Sequence, residues 1–244
     1  MDQRLVERGL FDSREKARRA VMAGLVEVDG RRVDKPGTAV AAGAALHVVA
    51  RAEPFVSRAG RKLAAALDHF GLDPAGLSCL DVGASTGGFT DCLLQRGAAA
   101  VTALDVGYGL IDARLRADAR VTVIERTNAR HLPADAFERP FDLIVVDVSF
   151  ISVVKVAPAL VPHLAPGGAL LALIKPPFEV GRSGVGKGGI VRDEALRAAV
   201  VAERAGELAA LGLEPAGTFD SPVAGAEGNV EAFALLRRPA GSGS

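Results

Sequence analysis

A succession of short apolar runs, separated by stretches with helical spacing, begins after residue 55 and continues nearly to the end of the chain. Strands that are apolar on both faces and alternate with helices build a mostly parallel sheet covered on both sides. We therefore predict a doubly wound α/β domain over residues 55–240, with a long helix across residues 191–212 and a flexible tail at residues 241–244. The predicted strands are LSCLDVGA, AAVTALDVG, RVTVIER, FDLIVVDVS, GGALLALIK, EPAGTFDSPV and EAFALLRR.

Polar residues end four of these runs. Asp81, Asp105, Asp147 and Lys175 each fall at or near the carboxyl end of a predicted strand. A single polar residue at such a position usually only begins a loop. Ligands of doubly wound folds bind in the crevice outside these strand ends. Four polar residues placed in this way therefore predict a functional site at that edge of the sheet.

The first of these strand ends, LDVGASTGGFTD at residues 80–91, is rich in glycine. Glycines allow a tight turn and bring backbone N–H groups close to a ligand, just before a helix that we expect to begin near the last glycine. A dinucleotide fingerprint needs G-x-G-x-x-G, whereas here three residues separate Gly83 from Gly87. The spacing disfavours a nicotinamide cofactor, and the Asp-x-Gly strand end with this loop resembles the S-adenosylmethionine site of class I methyltransferases.

A carboxylate and an amide extend the predicted cofactor site. Asp105, which ends the next strand, is placed to accept hydrogen bonds from ribose hydroxyls. Asn128, just past the third strand in ERTNARHL, is expected near the adenine, although taken alone it is more typical of a turn residue. The residues assigned to the cofactor are Asp81, Gly83, Ser85, Thr86, Gly87, Gly88, Phe89, Asp105, Asn128 and Asp147.

The segment LIKPPFE carries Lys175 out of the fifth strand and follows it with two prolines. Enzymes that methylate amino groups commonly carry Asn or Asp before Pro-Pro-Tyr/Phe, after the fourth strand. A lysine ammonium is no hydrogen-bond acceptor for an amine, but it suits an oxygen nucleophile, which favours O-methylation. A lysine whose pKa is lowered by burial and by a neighbouring cation is able to activate a ribose hydroxyl. Pro176 and Pro177 would fix the direction in which Lys175 points.

Residues 1–50 differ from the rest of the chain in charge. From residue 14 to residue 62 eleven Lys and Arg face five Asp and Glu, although the whole chain balances 29 basic against 29 acidic residues. Ser13 can cap a helix over residues 14–23, and Asp29-Gly30 predicts a hairpin turn between two short strands. This basic surface indicates an anionic partner such as nucleic acid, and a solvated charged helix is the alternative.

The run RLVERGLFDSREKARRAVMAGLVEVDGRRVDKPGTAV resembles an S4 domain, a small α+β RNA-binding module, over nearly all of residues 2–49. The resemblance implies that the helix and hairpin lie on structured RNA, and that residues 51–54 are a linker. The loop GRSGVGKGG at residues 181–189 is interpreted as a lid on the RNA backbone, or as a flexible exposed loop. The residues assigned to RNA are Arg14, Lys16, Arg18, Arg19, Arg31, Arg32, Arg58, Arg61, Arg182 and Lys187.

Motifs along the whole chain resemble those of the TlyA family, in the same order. They are FVSRAGRKLAAAL, LDVGASTGGFTD, LDVGYG, FDLIVVDVSFIS, LIKPPFE and GNVEAF. The family consists of ribosomal RNA 2′-O-methyltransferases with an S4 domain before an FtsJ-like, Rossmann-like class I domain. The resemblance implies S-adenosylmethionine as methyl donor, a cytidine ribose as acceptor and a ribosomal subunit as partner. The chain begins almost directly at the S4 motif, as the shorter members do, which favours the large subunit.

By the same resemblance, the catalytic Lys-Asp-Lys-Glu tetrad of the family falls on Lys62, Asp147, Lys175 and Glu231. Lys175 is then the central base or oxyanion stabiliser, oriented by Asp147 and Glu231, with Lys62 adding positive charge. Helical spacing alone makes Lys62 a surface residue. Glu179 competes with Glu231 because it lies only four positions after Lys175, but the motif correspondence favours Glu231.

Two other functions stay open: a non-catalytic S4-type RNA-binding or ribosome-assembly protein, and a membrane-active haemolysin, a label that some family members carry. No apolar run approaches the roughly 20 residues that cross a bilayer. Cys79 and Cys92 lack metal-ligand spacing, and the four histidines form no ligand pattern. We predict a cytoplasmic protein without metal or membrane attachment, either a monomer or a weak homodimer.

Overall fold

The computed structural model of the protein describes residues 1–22, 25–41, 43–48, 54–180, 184–186, 188–225 and 228–241. It divides into two compact units, Met1–Glu53 and Pro54–Ser244. The division falls between residues 53 and 54, within the linker predicted at residues 51–54, of which 51–53 lie outside the described residues. The predicted tail also lies outside them, apart from residue 241.

Within its described residues, the first unit contains two helices and a small antiparallel sheet with strand order β2-β1-β3. The predicted hairpin is confirmed, because Asp29 and Gly30 both have positive φ angles, 50° and 76°, as a two-residue turn requires. The Ser13 hydroxyl accepts a hydrogen bond from the Lys16 N–H (3.3 Å), which confirms the predicted cap. The elements are α1 Asp2–Glu7, α2 Arg14–Met22, β1 Val26–Val28, β2 Arg31–Val33 and β3 Leu46–Val48.

The second unit is a seven-stranded sheet with strand order β6-β5-β4-β7-β8-β10-β9. Strands β4 to β8 pair in parallel, and β10 runs antiparallel to both of its neighbours. The strands are β4 Ser78–Val82, β5 Ala100–Leu104, β6 Val121–Ile124, β7 Phe141–Val146, β8 Leu164–Ile174, β9 Glu214–Asp220 and β10 Ala232–Arg237. The helices are α3 Ala59–Phe70, α4 Gly88–Gln95, α5 Ala113–Arg116, α6 Ala157–Leu160, α7 Pro176–Glu179 and α8 Glu194–Ala209.

The predicted doubly wound fold is confirmed, and strand β7 shows why it forms. Leu143 and Val145 pack into a cluster with residues of α3 and α4 on one face of the sheet. Ile144 and Val146 pack into a second cluster with residues of α6 and α8. Because successive strand side chains point to opposite faces, the part of β7 that is buried on both sides, residues 143–146, is apolar at every position.

The predicted helix over residues 191–212 is too long at both ends. The Asp193 side chain accepts a hydrogen bond from the Leu196 N–H (3.0 Å), so the helix begins at Glu194. It ends at Ala209, before Gly212, whose φ of 85° lies outside the helical region.

Candidate active site

The loop after β4 is shaped by glycines that no larger residue can replace. Gly83 has a φ of 85°, and a Cβ atom there would lie 2.4 Å from the backbone oxygen of Asp147. Gly87 has a φ of 94°, and a Cβ atom there would lie 2.3 Å from the Leu115 side chain. Helix α4 begins at Gly88, as predicted. The loop therefore passes directly against the end of β7 and keeps its backbone close to the space above the sheet.

Asp81 supports this loop from inside the sheet. Its side chain is fully buried and accepts hydrogen bonds from the Thr90 N–H (2.8 Å) and the Thr90 hydroxyl (2.6 Å). Burial raises the pKa of Asp81 to about 7; the Thr90 hydrogen bonds oppose this rise, and the nearby charges of Asp147 and Asp105 add to it. The other carboxylate oxygen, Oδ1, has no hydrogen-bond partner among the described residues. A buried acceptor without a partner is a group that a bound ligand or water can satisfy.

Asp105, directly after β5, joins the two loops that flank it. Its Oδ2 accepts a hydrogen bond from the Ser85 N–H (2.8 Å), and its Oδ1 accepts one from the Gly107 N–H (2.6 Å). A carboxylate has about four lone-pair sites, so two acceptor sites remain for hydroxyl donors. Asp105 therefore presents a fixed acceptor at the carboxyl end of the sheet.

A first cleft of about 360 Å³ lies beside this carboxylate. Asn128 lines it, and its side-chain oxygen accepts a hydrogen bond from the Arg130 N–H (3.0 Å), which caps a short 3-10 turn. Asn128 is therefore both a turn residue and a residue of the first cleft. Of the residues assigned to the cofactor, Gly83, Ser85, Asp105, Asn128 and Asp147 line this cleft.

A second cleft, of about 200 Å³, continues the first. Gly83, Ser85 and Asp147 line both of them, and Thr86 and Phe89 line the second alone. Asp81, Gly87 and Gly88, also assigned to the cofactor, line neither cleft. Their contribution within the described residues is to the shape of the loop: Asp81 binds Thr90, and Gly87 and Gly88 make the turn into α4.

A third cleft, of about 490 Å³, is lined by Lys62, Lys175 and Glu231. Lys175 and Ser149 also line the second cleft, so the two spaces meet at these side chains. The third cleft is also lined by Ser57, Arg58, Phe150, Phe178 and Asn229. The arrangement suits a site that holds two molecules in contact, one on each side of Lys175.

Lys175 is held by two acceptors. Its ammonium group forms an ion pair with Asp147 and donates a hydrogen bond to the Ser149 hydroxyl (2.9 Å). The Lys175 and Asp147 side chains are 12% and 15% exposed. An ammonium group has three N–H donors, so among the described residues one donor remains for a group in the cleft.

Lys62 and Glu231 form a second charged pair, with 2.5 Å between Nζ and Oε2. Both residues are buried, at 8% and 6% exposed. The interpretation of Lys62 as a surface residue is therefore wrong, because α3 turns this position towards the end of the sheet. A Cβ atom at Gly225 would lie 2.5 Å from Glu231 Oε1, so glycine leaves the space that this carboxylate occupies.

Glu179, the competitor for the place of Glu231, lies elsewhere. Its carboxylate accepts hydrogen bonds from the Ser152 hydroxyl (2.5 Å) and the Val153 N–H (2.9 Å). Arg204 Nε lies 3.3 Å from it. The structure therefore brings Glu231 to the third cleft and ties Glu179 to the segment after β7.

Several residues of the site have no distinctive sequence pattern. Ser149 lines all three clefts, and Ser57 lines the second and third. Phe150 is 91% exposed with a φ of 67°, and its ring centroid lies 5.2 Å from that of Phe178. These residues stand in the motifs FVSRAGRKLAAAL and FDLIVVDVSFIS, but the sequence analysis assigned no role to Ser57, Ser149 or Phe150.

The basic residues assigned to RNA occupy three kinds of position. Arg18, Arg31 and Arg32 are exposed in the first unit. Arg14 pairs with Asp2 (3.2 Å), and Lys16 pairs with Asp12 (2.8 Å). In the second unit Arg58 and Arg61 are exposed at the start of α3. The Arg19 side chain and both lid residues, Arg182 and Lys187, lie outside the described residues.

Over the part of the chain that the structure describes, no group of three or more His, Cys, Asp or Glu side chains is arranged to hold a metal ion. Within the same residues, no helix is long and apolar enough to span a membrane. Cys79 and Cys92 are buried free thiols, and burial raises the pKa of each to about 12. Neither thiol is a nucleophile near neutral pH.

Comparison with known proteins gives two family matches and several full-length relatives. Residues 55–238 match the FtsJ-like methyltransferase model, and residues 2–46 match the S4 domain. The 16S/23S rRNA (cytidine-2'-O)-methyltransferase TlyA of Mycobacterium tuberculosis is 49% identical over 97% of this chain and 89% of the relative. Hemolysin A of Brachyspira hyodysenteriae is 40% identical over 96% of this chain and 98% of the relative. A solved hemolysin candidate from Streptococcus thermophilus superposes with a TM-score of 0.78 at 41% identity, covering 98% of this chain and 87% of that one.

Proposed function

This chain belongs to the TlyA family of FtsJ-like methyltransferases, and from that premise we propose that it methylates the 2′-oxygen of a cytidine ribose in ribosomal RNA, with S-adenosylmethionine as the methyl donor. The proposal rests above all on the position of Lys175. Its ammonium group is fixed by Asp147 and Ser149 at the place where the second and third clefts meet. A positive group at this junction suits an acceptor atom that becomes negative during the reaction.

The first and second clefts fit S-adenosylmethionine. Asp105 offers acceptors to ribose hydroxyls, and Asn128 lines the first cleft at the end proposed for the adenine. The glycine loop leaves room for the methionyl part beside Ser85 and Thr86, where a side chain at Gly83 would clash. When bound, S-adenosylmethionine supplies an electrophilic methyl group.

The third cleft is the proposed place of the target ribose. The 2′-hydroxyl lies against the Lys175 ammonium. Its proton passes to water in the open cleft as the oxygen takes up the methyl group, and the ammonium stabilises the negative charge that builds on the oxygen. Asp147 and Ser149 fix the orientation of the Lys175 ammonium, so this side chain does not have to move during methyl transfer. Lys62, neutralised in part by Glu231, adds a second positive charge to the wall of this cleft.

The S4 unit is proposed to bind the ribosomal RNA that carries the target. Arg18, Arg31 and Arg32 are exposed there and able to contact phosphates, which supply most of the affinity for RNA. The relative from Mycobacterium tuberculosis is named for both 16S and 23S rRNA. We propose the large-subunit RNA as a substrate, and the cytoplasm, where ribosomal subunits assemble, as the place of the reaction.

Two ion pairs beside the clefts, the buried pair Lys62–Glu231 and the half-buried pair Lys175–Asp147, argue against the two alternative functions. A buried ion pair contributes little net stability, because the desolvation of both charges opposes their attraction. Neither RNA binding without catalysis nor membrane activity requires the ion pairs Lys62–Glu231 and Lys175–Asp147. Methyl transfer to an oxygen uses both pairs.

The experiment that tests the proposal identifies the methylated nucleoside. Ribosomal subunits that lack the modification are incubated with the protein and labelled S-adenosylmethionine, and the RNA of each subunit is then digested to nucleosides. Label in 2′-O-methylcytidine from the large subunit is the expected result. Label in a base-methylated nucleoside would refute O-methylation, and label in the small subunit alone would refute the proposed subunit.

A further inference from the structure

Glu179 is a buried charge outside the clefts, and it touches two segments of the site at once. Its side chain is 2% exposed. One carboxylate oxygen accepts a hydrogen bond from the Ser152 hydroxyl, and the other accepts one from the Val153 N–H. Arg204 on α8 supplies the opposite charge at 3.3 Å. A buried carboxylate with these three partners is fixed in position.

Glu179 is connected to Lys175 through the short helix α7. Lys175 immediately precedes α7, and Glu179 is the last residue of this short helix. The segment between them is stiff, because two prolines fix the backbone and the Phe178 N–H donates to the Lys175 carbonyl (2.9 Å). A shift of Glu179 is therefore transmitted to the turn that carries Lys175.

The other side of the contact leads back to the partners of Lys175. Ser152 and Val153 follow Asp147 and Ser149 on the segment after β7. The Glu179 carboxylate therefore joins the two segments that carry the two halves of the Lys175–Asp147 pair. The Glu179 contacts and the Lys175–Asp147 ion pair therefore connect the segments after β7 and β8 at two places. Two connections fix the distance between Lys175 and Asp147 better than the ion pair alone.

We propose that Glu179 is a positioning residue for methyl transfer: it holds the turn that carries Lys175 against the segment that carries Asp147 and Ser149. The inference rests on the proposed function, because it assigns Glu179 a task in that reaction. A displacement of about 1 Å in a reacting group can cost about 100-fold in rate. Loss of the Glu179 contacts should therefore lower kcat and leave both clefts able to bind.

The test compares Glu179→Gln with Glu203→Gln. Glutamine keeps the size of the side chain but removes the negative charge that binds the Ser152 hydroxyl, the Val153 N–H and the Arg204 guanidinium. Glu203 also pairs with Arg204 (3.3 Å), but its side chain is 58% exposed, and among the described residues its ion pair does not involve the segments that carry Lys175 and Asp147. For Glu179→Gln we expect kcat to fall by about 10-fold to 100-fold, with the Kd for S-adenosylmethionine and the KM for RNA within about threefold of wild type. Glu203→Gln should retain wild-type kcat.

A second readout does not depend on activity. Competitive acetylation, with peptide mass spectrometry, measures how readily the Lys175 amine reacts relative to Lys35, an exposed lysine of the first unit. Release of Lys175 from its partners should raise its relative labelling several-fold in Glu179→Gln and leave it unchanged in Glu203→Gln. A circular dichroism melt of each variant tests whether the fold is retained.

The outcomes separate this inference from the function on which it rests. Wild-type kcat and wild-type Lys175 labelling in Glu179→Gln would overturn the positioning role and leave the proposed function intact. A parallel loss of kcat, cofactor affinity and melting temperature would also overturn it, since that pattern belongs to a general structural role. A wild-type protein without transfer activity would refute the proposed function, whatever the labelling shows.

Discussion

Lys62 and Glu231 lie 169 positions apart in the chain, yet their side chains meet at 2.5 Å between Nζ and Oε2. Lys62 belongs to α3, which precedes the first strand of the large sheet, and Glu231 immediately precedes the last strand, β10. The pair therefore links the beginning and the end of the second unit at the wall of the third cleft. Both side chains are buried, so removal of either one leaves the other buried without its ion-pair partner.

The first prediction concerns the stability that this pair controls. Glu231→Ala should lower the free energy of unfolding by about 3–5 kcal/mol, because it leaves the Lys62 ammonium buried without its partner. The double variant Lys62→Met, Glu231→Leu should recover most of that loss but not methyl transfer. Urea unfolding of the three proteins measures this, and equal stability of Glu231→Ala and wild type would contradict it.

Asp105 gives a prediction about cofactor affinity. Asp105→Asn should raise the Kd for S-adenosylmethionine by about 10-fold to 100-fold, because hydrogen bonds to a charged group contribute about 1.5–3 kcal/mol. Isothermal titration calorimetry measures the Kd directly. Asp112→Asn is the matched control, since this carboxylate caps α5, bonds to Arg114 and lines none of the three clefts. An unchanged Kd in Asp105→Asn would remove Asp105 from the cofactor site.

Asp81 gives a prediction about pH. Its pKa is about 7 in the folded protein against an ordinary value of 3.8, so between these values the folded chain holds one more proton than the unfolded chain. Stability should therefore fall as the pH rises through this range, by about 1.4 kcal/mol for each unit of the pKa difference. Asp81→Asn still accepts a hydrogen bond from Thr90 but cannot ionise, so its stability should fall less over the same range. The free energy of unfolding of wild type and of Asp81→Asn is measured without cofactor from about pH 4 to pH 8. If the two proteins lose stability equally over this range, Asp81 does not have the raised pKa.

The S4 unit gives a prediction about salt. Arg14→Ala with Arg18→Ala should weaken binding to ribosomal RNA and reduce the slope of log K against log salt by about 1 to 2, because each phosphate contact releases about one counterion. Arg14 pairs with Asp2 (3.2 Å), so Arg18 should account for the larger part of the change. Arg139, exposed before β7 at the opposite edge of the sheet from the clefts, supplies the control. A slope equal to that of wild type would exclude this face of α2 from the RNA surface.

Local patterns predicted the parts of this molecule that depend on local physics. The strands β4, β7 and β8 follow from short segments that are mostly apolar. The loop after β4 follows from its glycines, because its positive φ angles and its close contacts require glycine at Gly83 and Gly87. Asp105 and Lys175 were recognisable because a strand end fixes where a side chain leaves the core.

Other features depend on contacts between distant segments, which no local pattern records. The spacing of α3 gave Lys62 a surface position, and only its meeting with Glu231 explains why a lysine is buried there. Glu179 was nearer to Lys175 in sequence than Glu231, but the turn of α7 directs it towards Ser152. Ser57 and Ser149 are common residue types in ordinary settings, and their place between the clefts is visible only in the assembled sheet.

The central claim is that Lys175 serves the acceptor oxygen and not the cofactor. The most direct measurement is single-turnover methyl transfer to unmodified ribosomal subunits by wild type, Lys175→Ala and the exposed-site control Lys155→Ala, together with the Kd of each for S-adenosylmethionine. We expect a loss of about 100-fold to 10,000-fold in the rate of Lys175→Ala, a Kd within about threefold of wild type, and no change in Lys155→Ala. Transfer by Lys175→Ala at the wild-type rate, or a loss of rate that follows a matching loss of cofactor affinity, would contradict it.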